Sequence, residues 1–273
     1  GSSRCARNGD MNNARRTIKA WRMMFLYTEV AGSFRIDGRE YDPDASHLCA
    51  MNLLQILRLL FKGPTPQQMA AQLRKPHGFL ARKVGERMNA ANRSLYEGAW
   101  EALDLRDGLS VLEIGFGNGL FMDDLSRKAN GLVLHGLDFS EEMVKEATAR
   151  NQKLVASGTL TLVHGASDHM PFPDAAFDRV FCINVVYFWE EPARHLSEVL
   201  RVLGPQGTFT AVLRARSAME KLPFTRFGFT MYEQADWEAG FRTLSATVLQ
   251  EPEIEYDGQL YTPESLVVVA TRA

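Results

Sequence analysis

One run of residues, Val111-Leu112-Glu113-Ile114-Gly115-Phe116-Gly117-Asn118-Gly119, concentrates the chemistry of this chain. An apolar stretch leads straight into glycines at alternate positions, with an acid two residues before the first of them. Glycine lets the backbone turn sharply there and lets a ligand approach with no Cβ in the way. A dinucleotide-binding loop needs G-x-G-x-x-G, and Leu120 stands where its third glycine belongs. The spacing G-x-G-x-G behind Glu113 suits a ligand with no pyrophosphate, whose ammonium is held by loop carbonyls and an acidic neighbour.

A second acid, Asp138, closes the run Leu134-His135-Gly136-Leu137 and precedes Phe139-Ser140-Glu141-Glu142. Two readings stay open. A carboxylate at a strand tip accepts hydrogen bonds from both hydroxyls of a ribose. Alternatively Asp138 or Ser140 caps the helix that starts with the two glutamates. Further along, Asn184-Val185-Val186-Tyr187 ends another apolar run. Asn184 and Tyr187 either position a ligand or simply end a strand and pack, with Phe188 and Trp189 as pocket aromatics. His169 is a candidate general base, since an imidazole titrates near neutral pH, or else a polar loop edge. His135 and His164 read as structural. The aromatic and cationic stretch Lys221–Tyr232 reads as a cover over a ligand site or as a packed surface loop.

Taken in order, Glu113-x-Gly115-x-Gly117-x-Gly119, Asp138-Phe139-Ser140 with Met143, Gly165-Ala166-Ser167-Asp168-His169-Met170-Pro171-Phe172 and Phe177-Asp178-Arg179-Val180 resemble the class I S-adenosylmethionine-dependent methyltransferases. The small-molecule branch with the ubiquinone/menaquinone C-methyltransferases (methyltransferase domain type 11) is the most similar. The resemblance covers 84–213 well and 224–271 more loosely. It implies S-adenosyl-L-methionine as cofactor and a small-molecule methyl acceptor. Gly115, Gly117 and Gly119, with Phe116 and Asn118 between them, would line the methionine part, and Glu113 would orient the loop. Asp138 would hold the ribose, Phe139 and Met143 would lie against the adenine, and Ser167, Asp168 and His169 would edge it. Asn184 would sit near the sulfonium. Ala166 replaces the acid that the family usually carries, and Asp168 is the candidate substitute. Two other functions remain in view: a non-catalytic S-adenosylmethionine-binding or assembly protein, and an NAD(P)-dependent oxidoreductase, which Leu120 disfavours.

The elements that must hold these residues alternate as apolar strands and amphipathic helices from about Gln67 onward, the pattern of a parallel-sheet α/β domain. Helices are expected over Val84–Leu103, Leu120–Lys128, Ser140–Ala156, Pro192–Val202 and Tyr232–Ala239. Strands are expected over Ser110–Ile114, Leu132–Leu137, Thr159–Val163, Arg179–Asn184 and Thr208–Leu213. The last two β-rich runs, Arg242–Leu249 and Ser265–Thr271, have no room for a helix between them and so read as antiparallel. The expected fold is a Rossmann-like α/β sheet, mostly parallel and seven-stranded, with an antiparallel C-terminal hairpin and an N-terminal helical cap. The expected domains are residues 1–65 as cap and 66–273 as the cofactor-binding domain.

The cap segment carries Trp21, Phe25, Tyr27 and Phe34, then the nearly apolar run Ala50–Phe61. Surface of that kind must pack on the catalytic domain, on a second copy in a homodimer, or on a membrane surface. No apolar run reaches the roughly 18–20 residues that cross a bilayer, so stable membrane insertion is not expected. The net charge of −2 gives no basis for nucleic-acid binding. Three scattered cysteines with no C-x-x-C pair argue for a reducing, cytoplasmic setting and against a zinc or disulfide framework. The opening Gly-Ser-Ser reads as a remnant of a cleaved tag.

Overall fold

Side chains of even and odd number along the central strands go to opposite faces of one sheet, and each face meets its own helices. The computed structural model describes residues 64–77, 79–233, 235–236, 243–251, 254–256 and 259–271. Within them run α1 (Pro66–Arg74), α2 (Phe79–Ala102), β1 (Ser110–Ile114), α3 (Met122–Ser126), β2 (Val133–Asp138), α4 (Glu141–Arg150), α5 (Gln152–Ala156) and β3 (Leu160–His164). The chain continues through β4 (Phe177–Ile183), α6 (Pro192–Val202), β5 (Leu203–Arg214), α7 (Arg216–Met219), β6 (Thr243–Gln250), β7 (Ile254–Tyr256), β8 (Gln259–Tyr261) and β9 (Glu264–Thr271). Residues 1–63 of the expected cap lie outside the described residues, and the expected boundary at 65/66 falls where Thr65 caps α1.

Seven strands form one sheet in the order β3-β2-β1-β4-β5-β9-β6. The pairs from β3 to β5 are parallel, and β9 runs antiparallel to both β5 and β6. The sequence-based fold class therefore holds, including the antiparallel ending. Leu112, Val180, Ala211 and Val268 point into a core shared with Ala70 of α1 and Val199 and Val202 of α6. Their neighbours Val111, Phe181, Val212 and Val267 point into the opposite core, with Leu95 and Ala99 of α2 and Ala147 of α4. Strands buried on both faces read as continuous apolar runs, which is why β1 is legible to the residue. α1 begins at a capping box: the Thr65 hydroxyl accepts from the Gln68 N–H, and the Gln68 side chain accepts in return from the Thr65 N–H.

Several boundaries differ, each for a local reason. The single helix expected over Ser140–Ala156 is divided at Asn151, whose side-chain amide donates to the carbonyls of Gly119 and Ala147, both at 2.9 Å. Leu120–Lys128 is helical only over Met122–Ser126. β5 begins at Leu203, ahead of Thr208, because Leu203 pairs with Phe177 across a register shift in β4. The connection between β6 and β9 carries a small hairpin of its own, β7 with β8. The expected helix Tyr232–Ala239 is helical at 235–236 and otherwise falls in part outside the described residues.

One buried polar network fastens the C-terminal strands to α2. Arg214, closing β5, forms a bidentate pair with Glu251 at 2.8 and 3.0 Å and donates to the Ala91 carbonyl at 2.9 Å. The hydroxyls of Ser94 and Ser265 donate to the same carboxylate. The Glu251 side chain is 1% exposed and that of Arg214 12%. Removing one partner of such a pair strands a buried charge, which typically costs about 3–5 kcal/mol. Glu251→Ala is therefore expected to lower unfolding free energy by about that much in urea titrations at neutral pH. A loss under about 1 kcal/mol, the scale of an exposed pair, would show that the pair does not hold the hairpin.

Candidate active site

At the carboxyl ends of β1 to β4 the described residues enclose a cavity of about 370 Å³. Of the residues singled out in the sequence, Gly115, Gly117, Asp138, Phe139, Met143, Ser167, Asp168 and Asn184 line it. Glu113, Phe116, Asn118, Gly119, His169 and Tyr187 do not.

The three loop glycines share positive φ but have different neighbours. A Cβ on Gly115 would come within 2.4 Å of Val185, so this glycine lets the loop meet the end of β4. A Cβ on Gly119 would collide with Ala147 and Asn151, so it serves helix packing and not the cavity as expected. Gly117, with φ +56°, has nothing within 4 Å of where its Cβ would be. That open space is what a closely approaching ligand needs. Between them, Phe116 turns into the core, where Gly136 of β2 makes room for its ring. Asn118 turns toward α2, accepting from Asn89 at 3.2 Å.

Asp138 joins the loops after β1 and β2. One carboxylate oxygen accepts from the Gly117 N–H and the other from the Ser140 N–H, both at 2.9 Å. Ser140 is the residue that caps α4, its hydroxyl accepting from the Met143 N–H. Capping thus belongs to Ser140, and Asp138 stays on the cavity wall. Each of its oxygens keeps a second lone pair for a ligand hydroxyl. Burial raises its pKa to about 6, against which the two backbone donors pull down.

Glu113 lies beneath the loop, buried, and accepts from the Tyr96 hydroxyl at 2.6 Å. Desolvation pushes its carboxyl to about 8, and the charge of Asp138 adds in the same direction. Tyr96 was not singled out in the sequence; on α2 it looks like any amphipathic-helix aromatic, and it also stacks on Phe121.

Asn184 adopts φ +57° at the end of β4, the left-handed region that Asn tolerates better than most residues. Its Nδ2 donates to Asn92 at 3.0 Å. Tyr187 is buried behind it. The Tyr187 hydroxyl accepts from the Arg214 N–H and shares its proton between Asn184 Oδ1 and the Arg214 carbonyl, each 3.1 Å away. Tyr187 therefore holds Asn184 and does not face the cavity.

His169 is exposed and off the cavity wall, which removes the geometric basis for a general base. The histidine on the wall is His195, in the first turn of α6. Its Nδ1 shares a hydrogen bond with Ser167 Oγ at 2.8 Å, and its ring stacks on Trp189 at 4.9 Å. A helix that follows a sheet strand presents its first turn to the rim, which is the sequence signal for this residue. Asp168 also lines the wall, with one carboxylate oxygen 3.9 Å from Arg194. Also on the cavity wall, Arg74 at the end of α1 pairs with Glu190 at 2.7 Å. The stretch Lys221–Tyr232 is packed on this side: the Thr230 N–H donates to the Tyr187 carbonyl, and Phe229 lies against Phe188.

A mostly parallel sheet of this order, with a glycine loop and an acid at successive strand tips, is a Rossmann-like α/β fold, in which ligands bind outside the carboxyl ends of the strands. Residues 112–211 match the family described as "Methyltransferase domain". The uncharacterized methyltransferase YdaC of Bacillus subtilis is 30% identical over 135 residues, 50% of this chain and 72% of that protein. The demethylmenaquinone methyltransferase of Symbiobacterium thermophilum is 29% identical over 181 residues, 63% of this chain and 69% of that protein. The chain belongs to the S-adenosylmethionine-dependent methyltransferases. In fold it is similar to a Haloferax volcanii methyltransferase solved with the Trm112 activator, at TM-score 0.61 and 20% identity over 77% of this chain and 99% of that one. A Haemonchus contortus phosphoethanolamine N-methyltransferase 2, solved with phosphomonomethylethanolamine and S-adenosylhomocysteine, aligns at TM-score 0.57 and 12% identity over 77% of this chain and 60% of that one. Among the described residues, no helix is long and apolar enough to cross a membrane, and no group of His, Cys, Asp and Glu could hold a metal ion.

Burial of Glu113 as an acid links stability to pH. The folded chain keeps this proton to about pH 8, whereas the unfolded chain loses it near 4.5. Its contribution is complete below 4.5 and declines as pH rises to about 8. Glu113→Gln keeps an acceptor for Tyr96 and has no proton to lose. Thermal melts from about pH 5 to about pH 9, spanning that interval, are expected to show the wild-type Tm falling relative to the variant. Parallel curves would mean that Glu113 is not buried as a neutral acid.

Proposed function

We propose that the cavity binds S-adenosylmethionine and that the chain transfers its methyl group to a small, largely apolar or aromatic acceptor. The observation that carries this reading is Gly117: open space at its missing Cβ, left-handed φ, and an N–H tied to the cavity acid Asp138. Bound there, the cofactor supplies a methyl on a positively charged sulfonium, already activated for in-line displacement. What remains for the protein is alignment and exclusion of water. Asp138 accepts from the ribose hydroxyls. Gly115 and Gly117 admit the methionine portion, and Asn184, fixed by Asn92 and Tyr187, bounds the methyl-bearing end. Leu73, Met88, Ile183, Val185 and Phe188 give the wall an apolar character that supports the acceptor class. The similarity to a demethylmenaquinone methyltransferase points the same way. The aromatic-rich residues 1–65 complete the acceptor side as a cap in this reading.

Two measurements test it. Asp138→Ala is expected to weaken S-adenosylmethionine binding about tenfold or more by calorimetry, since a lost pair of hydrogen bonds to a carboxylate costs about 1.5–3 kcal/mol, and Gly117→Val to abolish it. Unchanged affinity in both would remove the cofactor from this cavity. Deleting residues 1–62 is expected to leave cofactor affinity largely intact while S-adenosylhomocysteine release in an acceptor screen collapses. A truncated chain as active as the full one would place the acceptor elsewhere.

A further inference from the structure

Helix α2 changes character along one stripe. Toward its C-terminal end the stripe carries Leu95 and Ala99, both buried in the core on that side of the sheet. Nearer its start, the same stripe carries Gly85, Asn89 and Asn92. Residues three, four and seven apart share a helix face. Asparagine is a poor helix former, and the inward stripe of an amphipathic helix is ordinarily apolar. Neither helix propensity nor core packing accounts for the two amides.

Their partners do. Asn89 Nδ2 donates to Asn118 Oδ1 in the glycine loop at 3.2 Å, and Asn92 Oδ1 accepts from Asn184 Nδ2 at 3.0 Å. On the same face, Tyr96 donates to Glu113 beneath the loop. The Asn118 oxygen also accepts from the Leu120 N–H, which fixes the end of that amide facing Asn89. The Asn184 oxygen is taken by the Tyr187 hydroxyl, so its Nδ2 is the group left for Asn92. Gly85 lets the helix lie close to the loop, since a Cβ there would come 3.3 Å from Asn118 Nδ2. One helix thus holds both the loop after β1 and the tip of β4, which meet each other where Gly115 packs on Val185.

We propose that Asn89 and Asn92 are positioning residues for methyl transfer, a reading that rests on the S-adenosylmethionine site above. Neither is among the residues that line the cavity; each acts through a partner. Asn89 holds the glycine loop, along the methionine portion of the cofactor. Asn92 holds Asn184, at the methyl-bearing end. Because both sit on one rigid helix, α2 sets the gap between loop and strand tip in which the methyl group lies.

The test compares S-adenosylmethionine with S-adenosylhomocysteine, which lacks the methyl, by titration calorimetry on the full chain. Asn92→Leu keeps the volume and removes the acceptor. It is expected to lower the ratio of S-adenosylmethionine to S-adenosylhomocysteine affinity about fivefold, the scale of one net hydrogen bond. Asn92→Asp keeps an acceptor for Asn184 and is expected to hold that ratio at or above the wild-type value. Asn89→Leu is expected to weaken both ligands about fivefold and leave the ratio unchanged. At this position Asp gives no rescue, since it sets a carboxylate against the Asn118 oxygen, and Asn89→Asp is expected to bind no better than Asn89→Leu. Lost helix packing alone would not make the two positions answer Asp in opposite ways. The alanine variants decide should a leucine variant fail to fold. A wild-type ratio in folded Asn92→Leu or Asn92→Ala, or a ratio just as low in Asn92→Asp, overturns the role of Asn92. Wild-type affinity for both ligands in folded Asn89→Leu or Asn89→Ala overturns that of Asn89. Failure of the wild type to bind either ligand overturns the cofactor reading itself, an outcome distinct from both.

Discussion

The carboxylate of Asp138 bridges two backbone N–H groups that belong to different loops. Through Gly117 it fixes the turn after β1, and through Ser140 it fixes the entry to α4. Both donors sit at the rim, where the sheet ladder has ended and backbone groups need other partners. The bridge is made by a group that burial would otherwise drive toward its neutral form, as the raised pKa records. The rest of the rim is arranged around it. Gly165 continues the ladder by donating to the Asp138 carbonyl, and Gly115 donates to the carbonyl of Leu137. One residue thus sets the relative position of three strand tips, and the cavity lies among them.

The two buried glutamates meet different partners. Glu113 has the Tyr96 hydroxyl as its donor, and desolvation dominates its pKa. Glu251 is as deeply buried but meets a guanidinium and two hydroxyls. The first lies under the site and the second secures the antiparallel strands behind it. Tyr187 links the two regions, touching the Arg214 backbone on one side and Asn184 on the other.

The parallel sheet was legible because its strands are buried on both faces and therefore apolar throughout, and because glycine and aspartate mark their ends. β1 and α6 emerge with the ends the sequence assigns. Direction was not legible. Within the loop Gly115-Phe116-Gly117-Asn118-Gly119, residue type alone could not say that Gly117 opens to the cavity while Gly119 faces α4. Likewise His169 and His195 both follow strands of the rim, and only packing turns one outward and the other onto Trp189. Partners distant in sequence were also hidden: nothing near Tyr96 announces Glu113, nor anything near Asn92 the amide of Asn184. The break at Asn151 escaped because Asn is compatible with a continuous helix until its side chain finds the Gly119 carbonyl.

The ring of Phe116 fills the space that a side chain at position 136 would occupy; a Cβ there would lie 2.5 Å from it. This lock has an evolutionary and mechanical meaning. A side chain at position 136 would need smaller residues at two places at once, Phe116 in the loop and Leu162 on β3, whose Cδ2 would lie 2.7 Å from the new Cβ. A loop plugged into its neighbouring strand also makes a poor door. Elsewhere on the cavity wall the exposed Arg74–Glu190 pair joins α1 to the turn after β4. Exposed pairs of this kind contribute little to stability and are weakened by salt, so this link, unlike the packed ring, is one that ionic strength can loosen.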